Sequence, residues 1–476
     1  ECYVVVSEVA KNNGGKKKVL ASVLAGLAMV GAGAVGTPVQ ANVDLGNSAV
    51  NISPNGTYNG SNSVGSNSVV VGMQNTTDNN WGTIALGMAN TATENSAMAV
   101  GNGNKATGGA AVAMGAYNQA TGRASVAIGN VSMASAEDSI AIGNRANATK
   151  SNQDRGSGQF SIAMGRESWA KGDNNISIGH EAETNSTGDS IAMGRNSKAN
   201  QANAVAVGPQ ADANGWGGIA VGREAAVSAN FATAMGYQSQ ASGSASVAIG
   251  KQNKASGDGA VAIGKSNDSK VEDTITMGTS NTASVGGGIA IGQDNVANSG
   301  GTAGNTMIAI GRQNEATAQD TIAIGREAKA KNDLAVAIGN RTEATANAAI
   351  AIGTNGAPSN GNTYKTTASG FAAVAIGMQS NSTGTASTAV GGKSQATANS
   401  ASAFGRAANA SAENATALGF EAAASVKDGV ALGSTSKATV DKGVKGFNPA
   451  EDRDNKYGGL AGTAQTSTLA AVSVGD

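Results

Sequence analysis

Ser125-Val126-Ala127-Ile128-Gly129 returns fourteen residues later as Ser139-Ile140-Ala141-Ile142-Gly143. The same apolar-x-apolar-Gly block occurs in 25 copies between Gly72 and Gly433, and 19 of the 24 gaps between its glycines are 14 residues long. The others are 15, 22, 15, 19 and 24 residues. A period sustained this far marks a solenoid, in which each repeat touches only its neighbours and one domain can run for hundreds of residues.

Positions are counted here from the repeat glycine. Position −1 is apolar in every copy, and −3 is mostly Val or Ile. Position −2 is Ala in 22 copies; Val70, Ser177 and Thr276 are the exceptions. Alternation with period two and β-branched residues predicts a short strand. Residues −3 and −1 then face one way and the Ala faces the other. Neither face is polar, so both are expected to be buried, one inside the coil and one against an outside partner. The pattern leaves open which is which. The glycine ends the strand and permits φ > 0. A second small-residue strand follows, with Ala common at +5, as at Ala106, Ala120 and Ala134. Each coil is thus two strands and two turns. Coils stacked in parallel at about 4.8 Å would make a rod of roughly 120 Å.

Composition agrees. Aromatics are only 3% of the 476 residues, while glycine supplies 68, so the volume for a thick core is missing and a thin Ala/Val/Ile core fits. A net charge of −1 and a pI near 6.1 provide no basic footprint for nucleic acid. The single cysteine, Cys2, lies in a stretch expected to be removed, leaving no disulfide and no thiol chemistry.

Residues 1–41 read as the end of an export signal. Lys16-Lys17-Lys18 precedes the uncharged apolar run from Val19 to Val35, and Val39-Gln40-Ala41 fits a cleavage site between Ala41 and Asn42. At 17 residues the run is short for a membrane helix. Since the chain starts with Glu1, its beginning is expected to be cut short. Residues 42–67 read as an irregular polar lead-in that caps the first coil. The array spans 68–437, and 438–476 reads as a C-terminal cap or the start of a neck.

The turns hold most of the charge. Arg follows the repeat glycine at Arg166, Arg195, Arg223, Arg312, Arg326 and Arg406, with Glu and Asp interspersed. This reads as a solvated rim that blunts lateral aggregation, in preference to an anion site. Three insertions break the period, over Lys150–Gln159, Asn298–Thr306 and Thr354–Gly370. Insertions in a solenoid become loops, where binding residues concentrate. Asp154, Arg155, Asn305, Tyr364 and Lys365 are therefore the candidate ligand-binding residues; tolerated drift in loop length is the competing reading.

Motifs for chemistry are weak. Gly259-Ala260-Val261-Ala262-Ile263-Gly264-Lys265-Ser266 matches a phosphate-loop pattern, but its middle is the repeat's own strand and no helical period follows. His180 is the only histidine and sits in a turn, which leaves little for a catalytic triad or a multi-histidine metal site. The carboxylates are scattered. The chain is expected to be no enzyme, with no catalytic residue, no metal and no cofactor.

The blocks at Ser125–Gly129, Ser139–Gly143, Ser161–Gly165 and Ser246–Gly250 resemble the head repeat of the trimeric autotransporter adhesins, specifically the YadA-like head. Cys2–Lys11 looks like the end of the extended signal region of such precursors, and Ala470–Asp476 looks like a head-to-neck transition. The resemblance implies a left-handed parallel β-roll with three chains side by side, which would supply the outside partner. It implies a longer protein with a coiled-coil stalk and a C-terminal membrane β-barrel. Neither is present here, so the chain is not expected to anchor itself. The implied function is multivalent attachment at the cell surface to host matrix proteins, host cells or other bacteria. A self-associating structural solenoid of a surface layer or biofilm matrix is the alternative.

Overall fold

The computed structural model describes residues 41–44, 50–54, 64–65, 67–149, 159–186, 188–298, 306–355, 365–443 and 470–474. It is an all-β parallel solenoid with two strands per coil. The long strand carries the repeat block, as in Val126–Asn130, and a short strand follows, as in Met133–Ala134. Equivalent residues of successive coils pair in parallel, Val126 with Val112 and Ile140, Met133 with Gln119 and Asn147. The chain divides into two units, Glu1–Glu181 and Ala182–Asp476.

In the first unit, long strands run from Val69–Met73 to Ile176–Ile178. The lead-in, expected to be irregular, carries strands of its own. Val50–Pro54 pairs in parallel with Val69–Met73, and Ala41–Asp44 pairs antiparallel with Val50–Pro54. The lead-in therefore extends the ladder past the first repeat, which covers an otherwise open edge. In the second unit, long strands run from Ile191–Met193 to Val430–Leu432. The chain then returns as Val472–Val474, which adds one more parallel rung, with Ser473 opposite Ala431.

The structure decides which face is inside. The alanines at −2 and +5, such as Ala127 and Ala134, are fully buried. Val126 and Ile128, at −3 and −1, stay partly exposed on the outside. The two sheets of a coil leave room between them for little more than methyl groups. Where a coil deviates, its neighbours compensate. A Cβ on Gly218 or Gly288 would lie 2.8 or 3.1 Å from the valine methyl that fills its place, from Val227 and Val285 respectively. Some buried hydroxyls bond each other, Ser269 with Thr276 at 2.8 Å and Ser382 with Ser387 at 2.6 Å. That satisfies groups whose isolation would be costly.

The repeat glycine does more than turn. At Gly129, with φ 128°, a Cβ would sit 1.8 Å from the carbonyl oxygen of Gly143 in the next coil. Positive φ is not confined to the repeat glycine. Non-glycine residues at +2 and at −5 also take φ between 52° and 61°, as at Ala124, Val131, Asp138 and Arg145. These come every seven residues, so each coil is two similar half-coils.

A buried asparagine ladder runs at position +3. Asn75, Asn90, Asn104 and Asn118 stack in the first unit, and Asn253, Asn267, Asn281, Asn295 and Asn314 in the second. Asn104 Nδ2 lies 3.0 Å from Asn90 Oδ1, 3.0 Å from the Val100 carbonyl and 2.7 Å from the Gly115 carbonyl. Asn104 Oδ1 accepts the Asn118 backbone N–H at 3.0 Å. The ladder alters the strands beside it. In several coils without it, the repeat-glycine carbonyl accepts the +3 N–H of its own coil, as Gly208 does from Ala211 at 3.2 Å, and the strand stops at −1, as in Val205–Val207. With the ladder, the asparagine amide takes that carbonyl, and the strand continues through the glycine to +1, as in Met98–Asn102 and Val112–Ala116.

Candidate interaction surfaces

An interior lined by alanine leaves larger side chains outside. Every aromatic ring among the described residues is exposed, up to Trp81 at 74%. The outer face of the long strands is a continuous run of −3 and −1 side chains, with Met193 at 42% and Leu418 at 46% exposure. Each unit thereby presents an apolar face far larger than single scattered hydrophobes would make. Some aromatics gather. Trp216 and Phe231 meet edge to face with centroids 4.6 Å apart. Arg223 and Lys251 lie 5.7 and 5.8 Å from the Tyr237 ring.

Two corners flank this face, one at −6 and −5 and one at +1 and +2. Ion pairs there link successive coils: Arg123 with Glu137, Arg341 with Glu327 at 2.6 Å, Lys427 with Glu413 at 2.9 Å. The hydrogen bond from Arg341, helped by the charges of Arg341 and Arg326, holds the Glu327 carboxyl below its ordinary value. Glu224 is lowered in the same way, chiefly by the Gln238 amide. Lys427 is raised by its bond to Glu413. These exposed pairs are individually weak. They match the solvated rim expected from the interspersed charges.

The three insertions leave the ladder undisturbed. Ile140 pairs with Ile162, Ile289 with Ile308 and Ile350 with Val374 across them. The first two depart after short strands, Asn147–Thr149 and Val296–Ala297, on the −6 side of the face. The third departs after the long strand Ile350–Thr354, on the +1 side. Asp154, Arg155, Asn305 and Tyr364 lie outside the described residues. Lys365 is described, and its Nζ pairs with Glu343 Oε1 at 2.5 Å, so it is tied to the neighbouring coil. Ala41 and Asn42, the expected cleavage point, begin the strand Ala41–Asp44.

His180 lies at +1 with its Nε2 3.7 Å from Glu181 Oε1. With Glu167 of the preceding coil, these groups offer three ligand atoms within 4.8 Å of one another. All three are partly solvated rim residues. In the phosphate-loop match, Val261–Lys265 is a ladder strand with Ala262 inside and Lys265 exposed. The asparagine ladder and the seven-residue spacing of positive φ were missed in reading the sequence. The recurrence of Asn three residues after the repeat glycine was the available signal for the first.

A family model described as the YadA head domain repeat (2 copies) matches twelve segments, from residues 92–118 through residues 396–422, together more than half of the chain. A search of curated proteins found no match.

Proposed function

The chain belongs to the family of YadA head domain repeats, and we propose that as an adhesin-type head it attaches bacteria to host matrix proteins, host cells or other bacteria. The observation that carries this reading is the family's repeat combined with an apolar outer face in need of a partner. Three copies of the chain, joined along that face, would present every corner and loop three times. Weak single contacts then add, and avidity can exceed one-site affinity by about 10²–10⁴. The reading places the chain at the cell surface, outside the outer membrane, and gives it neither catalysis nor cofactor. Its ligand contacts are assigned to the three inserted loops and the corners, since the repeat block itself is occupied in building the scaffold.

The test is binding of the purified full chain to immobilised matrix proteins and to whole cells. Saturable binding to at least one is expected, with loss of about 100-fold or more in apparent affinity when the chain is diluted to monomer. A chain that binds only itself would overturn attachment and favour the self-associating structural solenoid.

A further inference from the structure

The apolar outer face is bordered by edges of opposite charge. In the 17 copies of the second unit, position +1 carries seven Arg or Lys and no carboxylate. Positions −6 and −5 of the same copies carry eight Asp or Glu and a single Lys. Position +2 holds both signs, but its Glu224 and Glu327 are already paired within the chain, with Arg223 and with Arg326 and Arg341. The alternation through the long strand turns +1 outward on the same side as −3 and −1, as in Val247–Lys251, where Ala248 is buried and Lys251 exposed.

The edges cannot neutralise each other in one chain. Asp258 and Lys265 flank the same long strand, seven residues and about 20 Å of extended chain apart. Among the described residues, Lys251, Lys265, Asp258 and Asp273 form no ion pair; Asp258 uses one oxygen to accept the Ser244 N–H at 2.8 Å. Lys251 and Lys265 stand in direct register on adjacent coils, which places like charges side by side. Yet opposite charges share a level. Lys265 and Asp258 belong to the coil of Gly264, and Arg326 and Asp320 to the coil of Gly325.

We propose that the cationic +1 edge of each copy pairs with the anionic −6/−5 edge of a second copy, with Lys265 opposite Asp258. This inference rests on the association of copies proposed above and specifies its seam. The apolar faces meet in the middle, and the charged edges set direction. Copies related by rotation about the stacking direction bring unlike edges together at the same level. Copies running in opposite directions bring like edges together, which repels.

The test uses the full chain in a Cys2→Ser background. Lys265→Cys with Asp258→Cys should give disulfide-linked dimers and trimers on a non-reducing gel. Within one chain the two Cα atoms are far beyond the roughly 7 Å that a disulfide spans. Independently, Lys265→Glu should weaken association about 10-fold or more by sedimentation, as should Asp258→Lys, and combining the two should restore it. Circular dichroism checks that each variant keeps its strands. Association unaffected by either reversal, or no cross-link in an associated chain, overturns the seam and leaves association standing. A wild-type chain that stays monomeric overturns the association on which the seam rests.

Discussion

Gly129 and Val131 have the same sign of φ for different reasons. Gly129 needs both the angle and the missing Cβ, since any side chain would enter the Gly143 carbonyl. Val131 has φ 58° and is 47% exposed, so only the angle is strained there. A β-branched residue in this region is a true outlier. Gly129→Ala should therefore cost roughly 3 kcal/mol or more, while Val131→Gly should gain about 0.5–1 kcal/mol, the relief of strain less the added freedom of the unfolded chain. Urea denaturation of the full chain should move the midpoint in opposite directions. Equal losses from both would refute the distinction. Glycine at 129 was legible from the period, because every copy has it. The strain at 131 was not, because that position holds Gln, Ala, Tyr, Glu, Lys and others from coil to coil.

A strand of this solenoid has two lengths, and a buried side-chain donor from the coil before accompanies most of the longer ones. The three-residue form closes on its own glycine carbonyl. In most five-residue strands that carbonyl accepts from a side chain of the coil before, usually an asparagine and at Gly143 and Gly250 a serine, while Val336–Asn340 and Ile350–Thr354 reach five residues without one. Asn104→Ala should leave the Gly115 and Val100 carbonyls and the Asn118 N–H without their partner, costing roughly 2–4 kcal/mol. Asn104→Ser should cost less than half of that. Ser132 occupies the same position two coils on and bonds the Gly143 carbonyl at 2.8 Å. Thermal unfolding of the two variants checks the order, and an alanine variant as stable as the serine one would show that the amide bonds contribute little. The strands themselves were readable from period two. Their lengths depend largely on a side chain from another coil, whose bonding partner only the stacking of coils reveals.

At the scale of the whole molecule, the insertions are additions to a ladder that closes without them. Residues 150 and 159 would occupy positions +7 and −6 of an uninterrupted coil, so deleting 151–158 restores the spacing of fourteen. The pairs Ile140–Ile162 and Asn147–Trp169 already bridge the gap. The deletion should keep the far-ultraviolet circular dichroism and change stability by no more than about 0.6 kcal/mol, since loop closure depends only weakly on length. If Asp154 and Arg155 belong to the ligand site, binding to the target falls while the fold remains. A deletion that unfolds the chain would make the insertion part of the scaffold. The candidate site was legible only to this extent. The breaks in period located the loops, while the outer apolar face and its charged edges needed the coil to be closed.

The sequence by itself determined the repeat, its strand, its turning glycine and the family to which it belongs, because period and residue type are local and recur often enough to be read without coordinates. The tertiary structure decided which face of the strand lies inside. Hydropathy could not, since Ala on one side and Val or Ile on the other are all apolar. The deciding quantity is width: the second sheet closes the coil so tightly that only the Ala side fits. The larger residues are thereby turned outward, and with them the aromatics, the two charged corners and the face that another copy would cover.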